Sequence, residues 1–166
     1  MPLIGLVTAI VLLWQYGWMG WLYVTMLVVG WILTGLGITV GFHRLLSHRS
    51  FTTFRIVRAF WTAMGSLSVE GSPLVWCAVH RRHHELSDQP GDPHSPRLHG
   101  DSVVGILRGL LHAHVGWLFT GHWTDPRLKR YIPDLLRDPM LVAVDRRYYL
   151  LVLASLVSPA AIGGLA

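Results

Sequence analysis

The first 42 residues carry no charged side chain and no histidine; His43 and Arg44 are the first of each. A soluble domain of this size has too much surface to leave so long a stretch uncharged. A secretory signal would show a basic start and a cleavable end, and neither is visible. The stretch therefore reads as membrane-embedded. One crossing takes about 20 residues at about 1.5 Å each. Residues 1–41 thus hold two crossings, with a turn near Gln15, Tyr16, Gly17 and Trp18. Aromatic rings favour the headgroup level, and Trp14, Tyr16, Trp18, Trp21 and Tyr23 cluster there. Gly37 and Gly41 form a GxxxG pair, read as a close helix contact.

All fourteen Lys and Arg residues fall between Arg44 and Arg147. An excess of basic residues marks cytoplasmic loops, which places residues 42–147 on the cytoplasmic side. Tyr148 to Ala166 is uncharged for 19 residues and suits a third crossing. The expected fold is an all-α membrane protein with three transmembrane helices and cytoplasmic interfacial helices, as one domain over residues 1–166. The formal charge of +5 belongs to those loops and gives no reason to expect nucleic-acid binding. The single cysteine, Cys77, excludes an internal disulfide and a cysteine-based zinc site.

The chemistry-bearing residues are histidines in two groups, "HRLLSH" and "HRRHH". On a helix, positions i, i+3 and i+4 share one face. His80, His83 and His84 would thus present three imidazoles to one side, with Arg81 and Arg82 turned toward water or phosphate. His43 and His48 are five apart, about 140° around an α-helix. That spacing suits two neighbouring metals, or a helix end where the geometry loosens. Imidazole suits iron, zinc, copper and nickel. If both groups serve one site, residues 51–79 must cross the bilayer an even number of times. They are too few for two crossings, so they should lie in the interface or dip and return. The break at Glu70, Gly71, Ser72 and Pro73 permits that. Residues 103–120 are likewise expected on the cytoplasmic surface as an amphipathic helix.

"GITVGFHRLLSHRSF", "HRRHHELSDQPGDPHSP" and "HAHVGWLF" together resemble the membrane fatty-acid desaturases of the acyl-CoA (stearoyl-CoA) type, in their bacterial branch. The resemblance runs from about Gly35 to the C-terminus. It implies that His43, His48, His80, His83 and His84 ligate a non-haem di-iron centre on the cytoplasmic face of a membrane, here the bacterial inner membrane. It implies an acyl-chain contact for Trp117. It implies oxygen as co-substrate and a cis double bond as product. The acyl group would come as a thioester or within a lipid. Electrons would come from a ferredoxin or cytochrome b5 with its reductase, since no nucleotide-binding fingerprint is present. His94 is left out of the ligand set. His99, His112, His114 and His122 read as interfacial histidines. Asp88, Asp92 and Glu85 are candidates for orienting imidazole N–H groups. The run "RLKR" at 127–130 reads as a headgroup contact.

Two departures stand out. The family carries a third box of the HxxHH type, a further histidine before it and an asparagine near the metals; this sequence has none of these. The expectation is an N-terminal portion, inactive alone. Animal members carry Arg-Asp before the second box to recognise coenzyme A, where Ala78 and Val79 stand here. The competing readings are a histidine-box hydroxylase and a non-catalytic metal-binding membrane protein.

Overall fold

The computed structural model describes residues 20–121 and 125–164, together with Val11, Trp14 and Gln15. Most of the expected first crossing lies outside the described residues. The described residues are helical throughout, with no strand among them. Helix α1, Trp21–Leu36, continues without a break into a π-helical segment, Gly37–Ser47. Together they form a 27-residue element whose apolar 18-residue window has mean hydropathy 1.9. Among the described residues it is the one element long and apolar enough to cross a membrane. Leu27, Val29, Trp31 and Ile32 are exposed along it, as lipid contact requires. Thr34 and Thr39 return their hydroxyls to the carbonyls of Gly30 and Gly35 at 2.8 Å. Such back-bonding satisfies a hydroxyl that faces no water. A long apolar helix stands where the second crossing was expected, and it runs past Gly41 to Ser47.

Four shorter α-helices follow: α2 (Arg55–Ser66), α3 (Pro73–Leu86), α4 (Val103–His114) and α5 (Pro139–Arg146). Helix α6, Tyr148–Gly164, has 17 residues, about 25 Å of rise. That is at the short end for a hydrocarbon core of about 30 Å, so the described residues show one clear apolar span. Helices α2 and α3, at 12 and 14 residues, are too short to cross. They meet at a bend around Glu70 and Gly71, in keeping with an interfacial or dipping path.

The core lies under the helices that follow the span. Phe42, Leu45 and Leu46 of the π segment pack with Cys77, Ala78 and Val79 of α3. Leu128, Ile132, Leu135 and Leu141 close it from below. The GxxxG pair makes the helix contact expected of it. A Cβ on Gly37 would sit 2.2 Å from the Gly65 backbone nitrogen of α2, and one on Gly41 2.8 Å from the Trp61 carbonyl oxygen. Only glycine allows that approach. The start of α3 is tied to the far end of the chain. Pro73 takes a first-turn position, where its missing N–H costs nothing. The Leu74 N–H donates to Asp145 of α5 at 3.0 Å, and the Gly71 N–H to the Tyr148 hydroxyl at 3.0 Å.

Candidate metal centre

The π segment brings the first two histidines together. In a π-helix the hydrogen bonds run i→i+5, and the His48 N–H bonds the His43 carbonyl at 3.0 Å. Residues five apart become neighbours, and the two ring centroids lie 4.5 Å apart. The 140° separation drawn from α-helical geometry does not hold here, because the winding is wider.

Helix α3 supplies the partners. His80 lies 4.6 Å from His43 and 4.6 Å from His84, centroid to centroid. Its Nε2 stands 3.2 Å from His48 Nε2 and 3.0 Å from His84 Nε2. Ligand-capable atoms of His43, His48, His80 and His84 all fall within 4.8 Å of one another. Facing lone pairs at these distances suit one cation with metal–nitrogen bonds of about 2.0–2.1 Å. Burial first, then the neighbouring His43, His84 and His48, push His80 down to about 2. The His84 imidazole is also lowered, by burial and then by His48. Both rings are therefore neutral at physiological pH, the form that binds metal.

The fifth expected ligand stands apart. His83 turns Nδ1 to both oxygens of Asp92, at 2.8 and 2.9 Å. The Asp92 side chain is fully buried and also accepts the backbone N–H groups of Asp88 and His94. Burial raises this carboxyl, but the bonds from His83 and the two amides outweigh it and hold it below its ordinary value. Of the three acids considered as orienting partners, Asp92 is the one bonded to a histidine of the two boxes. Such a carboxylate fixes the imidazole tautomer and leaves Nε2 as the donor. The described residues thus offer four converging imidazoles and one offset imidazole. They fit one ion well, and they give a second ion a single donor.

The arginines between the histidines do not face water. Arg81 grips both oxygens of Asp134 at 2.7 and 3.0 Å. It also donates to the carbonyls of Leu46, Ser47 and Tyr131. Leu46 and Ser47 end the π segment, where carbonyls lack helical partners. Arg81 therefore locks the end that carries His48 onto α3. Arg82 pairs with Asp125 at 3.2 Å. The sequence offered no direct sign of either partner, since both acids lie more than forty residues away.

A cavity of about 430 Å³ opens beside the cluster, with His43, His80, Trp76 and Trp117 in its wall. Trp117 is buried there. Two further wall residues carried no functional reading from sequence. Glu70 accepts a long bond from Trp76 Nε1 at 3.4 Å, and the Trp76 ring stacks on His80 at 4.9 Å. Burial is the main cause that raises the Glu70 carboxyl. His94 stacks on His83 at 4.0 Å and leans on Trp117 at 5.3 Å. Burial, then the His83 charge, lowers His94 to about 4. The aspartate two residues before it, in "DPH", was the available signal. His112 donates its Nε2–H to the Pro93 carbonyl at 3.2 Å and lies beside His99. His122 lies outside the described residues.

A membrane-spanning helix that ends in imidazoles, met by a second helix of imidazoles, defines a class: histidine-ligated membrane metalloproteins. Comparison with known proteins gives the family. Residues 4–166 match the family described as fatty acid desaturase, and the chain belongs to it. It is 41% identical over 166 residues to a hex-5-enoyl-[acyl-carrier protein] acetylenase of Moorena producens, covering 99% of this chain and 51% of that one. It is 34% identical over 128 residues to an sn-1 stearoyl-lipid 9-desaturase of Anabaena variabilis, covering 77% and 43%. Against stearoyl-CoA desaturase 5 of Bos taurus it is 37% identical over 121 residues, covering 71% and 33%. The chain spans about half the length of the first relative and less of the others. No solved structure matches it.

Proposed function

We propose that this chain supplies the first half of the metal centre of an oxygen-dependent fatty acyl desaturase. The observation that carries the reading is the convergence of His43, His48, His80 and His84 in a chain of this family. These four hold one iron, and His83, oriented by Asp92, contributes to the second. Bound iron supplies the oxidising power to remove hydrogen from unactivated methylenes, which imidazole acid–base chemistry lacks. The balance is one oxygen molecule, two electrons, two protons and one –CH2–CH2– unit giving –CH=CH– and two waters. The electrons come from a ferredoxin or cytochrome b5 type donor. The chain's own residues orient the ligands and wall the acyl chain between Trp76 and Trp117, on the cytoplasmic face of the inner membrane.

Five imidazoles do not fill two irons at five or six positions each, so these residues alone bind metal without turnover. The substrate is an acyl group on a carrier protein, the carrier named for the relative that matches 99% of this chain. Ala78 and Val79, at 0% exposure, offer no polar group to a coenzyme A headgroup. The test is reconstitution in lipid with ferrous iron, donor, reductase and acyl-carrier protein. The chain alone is expected to bind one iron and form no product. Co-expression with the second half of the Moorena relative is expected to yield an unsaturated acyl product. An alcohol product would favour the hydroxylase reading, and absence of iron binding would end the proposal.

A further inference from the structure

A second cavity, of about 350 Å³, lies between α2, α5 and the start of α6. It is remote from the histidines. We propose that it binds one anionic phospholipid. Two arginines, Arg55 and Arg147, line it, and no Asp or Glu does. Ala63, Met140, Val144 and Leu151 make the rest of its wall aliphatic. Arg58, one turn from Arg55, is already neutralised by Asp138. No carboxylate pairs with Arg55 among the described residues. Arg147 spends one N–H on the Ala143 carbonyl and keeps the rest of its fork.

Two arginines lining one space suit a phosphodiester, whose oxygens accept paired N–H bonds from guanidinium groups turned toward it. An apolar floor under them suits the glycerol and first methylenes of an acyl chain. The setting selects a lipid over a free anion. Arg147 immediately precedes α6, whose Leu150, Leu153 and Leu156 are exposed. Phe54 and Ile56 flank Arg55 at 81% and 79% exposure. Each arginine adjoins exposed apolar side chains along the chain, as at a headgroup boundary, where basic pockets between helices take anionic headgroups. A zwitterionic lipid brings its own cation beside the phosphate and gains less. The bound lipid would strap α2 to α6. Because α2 backs directly onto the π segment, it would also steady the helix that carries His43 and His48.

Native mass spectrometry of the full chain in mild detergent tests this, with phosphatidylglycerol, phosphatidylcholine and inorganic phosphate as probes. The wild type is expected to retain one phosphatidylglycerol on the order of tenfold more tightly than phosphatidylcholine. R55Q/R147Q should lose that preference, and R55K/R147K should keep part of it, since the charges remain but the forks do not. R108Q, on α4 outside the cavity, should behave as wild type. Equal retention of the two lipids, or an unchanged preference in R55Q/R147Q, overturns the proposal. Full displacement of the lipid by millimolar phosphate overturns it in favour of a free-anion site. The readout needs neither metal nor turnover, so it stands apart from the desaturase reading.

Discussion

Arg81→Met isolates the contact that locks the two histidine elements together. Arg81 makes five hydrogen bonds, two to Asp134 and three to the carbonyls of Leu46, Ser47 and Tyr131. Its side chain is 15% exposed and that of Asp134 26%. Removing one partner of a buried ion pair costs about 3–5 kcal/mol, and each orphaned buried carbonyl about 1–3 kcal/mol. These terms overlap, and water reaches the rim of a site this exposed. Arg49 also stays on Asp134 at 2.8 Å, although at 62% exposure it is well screened. A net loss of about 3 kcal/mol follows. That is more than a hundredfold in the folding equilibrium, at about 1.4 kcal/mol per decade. Arg81→Lys keeps the charge but not the fork, and should lose roughly half as much. The assay is denaturant unfolding in mild detergent, read by tryptophan fluorescence, with a cobalt(II) titration alongside. Because Ser47 adjoins His48, loosening this end should weaken cobalt binding at least about tenfold. A variant within about 0.5 kcal/mol of wild type, with unchanged cobalt affinity, would refute the idea that Arg81 couples the two elements.

Three other expectations are direct. Gly37→Ala puts a methyl group against α2 backbone that has no flexible end to yield; it should destabilise by about 1–3 kcal/mol in the same unfolding assay. Cobalt(II) should bind once per chain with an intense tetrahedral visible spectrum, which His84→Ala abolishes and His83→Ala leaves nearly intact. His80 is held far below its ordinary value near 6.5, so the unfolded chain takes up its proton first. Stability is then full above pH 6.5 and falls as the pH drops from there toward about 2. Acid titration of the apo chain should show this loss beginning near pH 6, and His80→Asn should reduce it, with His84 and His94 supplying the remainder.

The long apolar helix that ends in the first box was legible because the run before Arg44 carries no charge. The second box was legible because i, i+3 and i+4 spacing survives in any α-helix. What escaped reading was everything set by non-local contact or unusual winding. The π geometry hides in an apolar segment with no local sign of it, so His43 and His48 looked mutually averted. Arg81 and Arg82 looked solvent-facing, since their carboxylate partners come from a distant loop. His83 looked equivalent to His80 and His84 until Asp92, nine residues on, claimed its Nδ1. The expected crossing near the C-terminus rests on composition: α6 has seventeen helical residues with Pro159 inside, the low end of the length a crossing takes.

The i→i+5 winding between His43 and His48 makes the first half of the centre a matter of counting as well as chemistry. Leu45 and Leu46 could change identity and still deliver both rings to one ion, provided the space beneath them stays filled. Rewinding this stretch to ordinary α-helical pitch, with no residue lost, would set the two rings about 140° apart. His48 would then swing off the ion while every donor atom remained in the polypeptide.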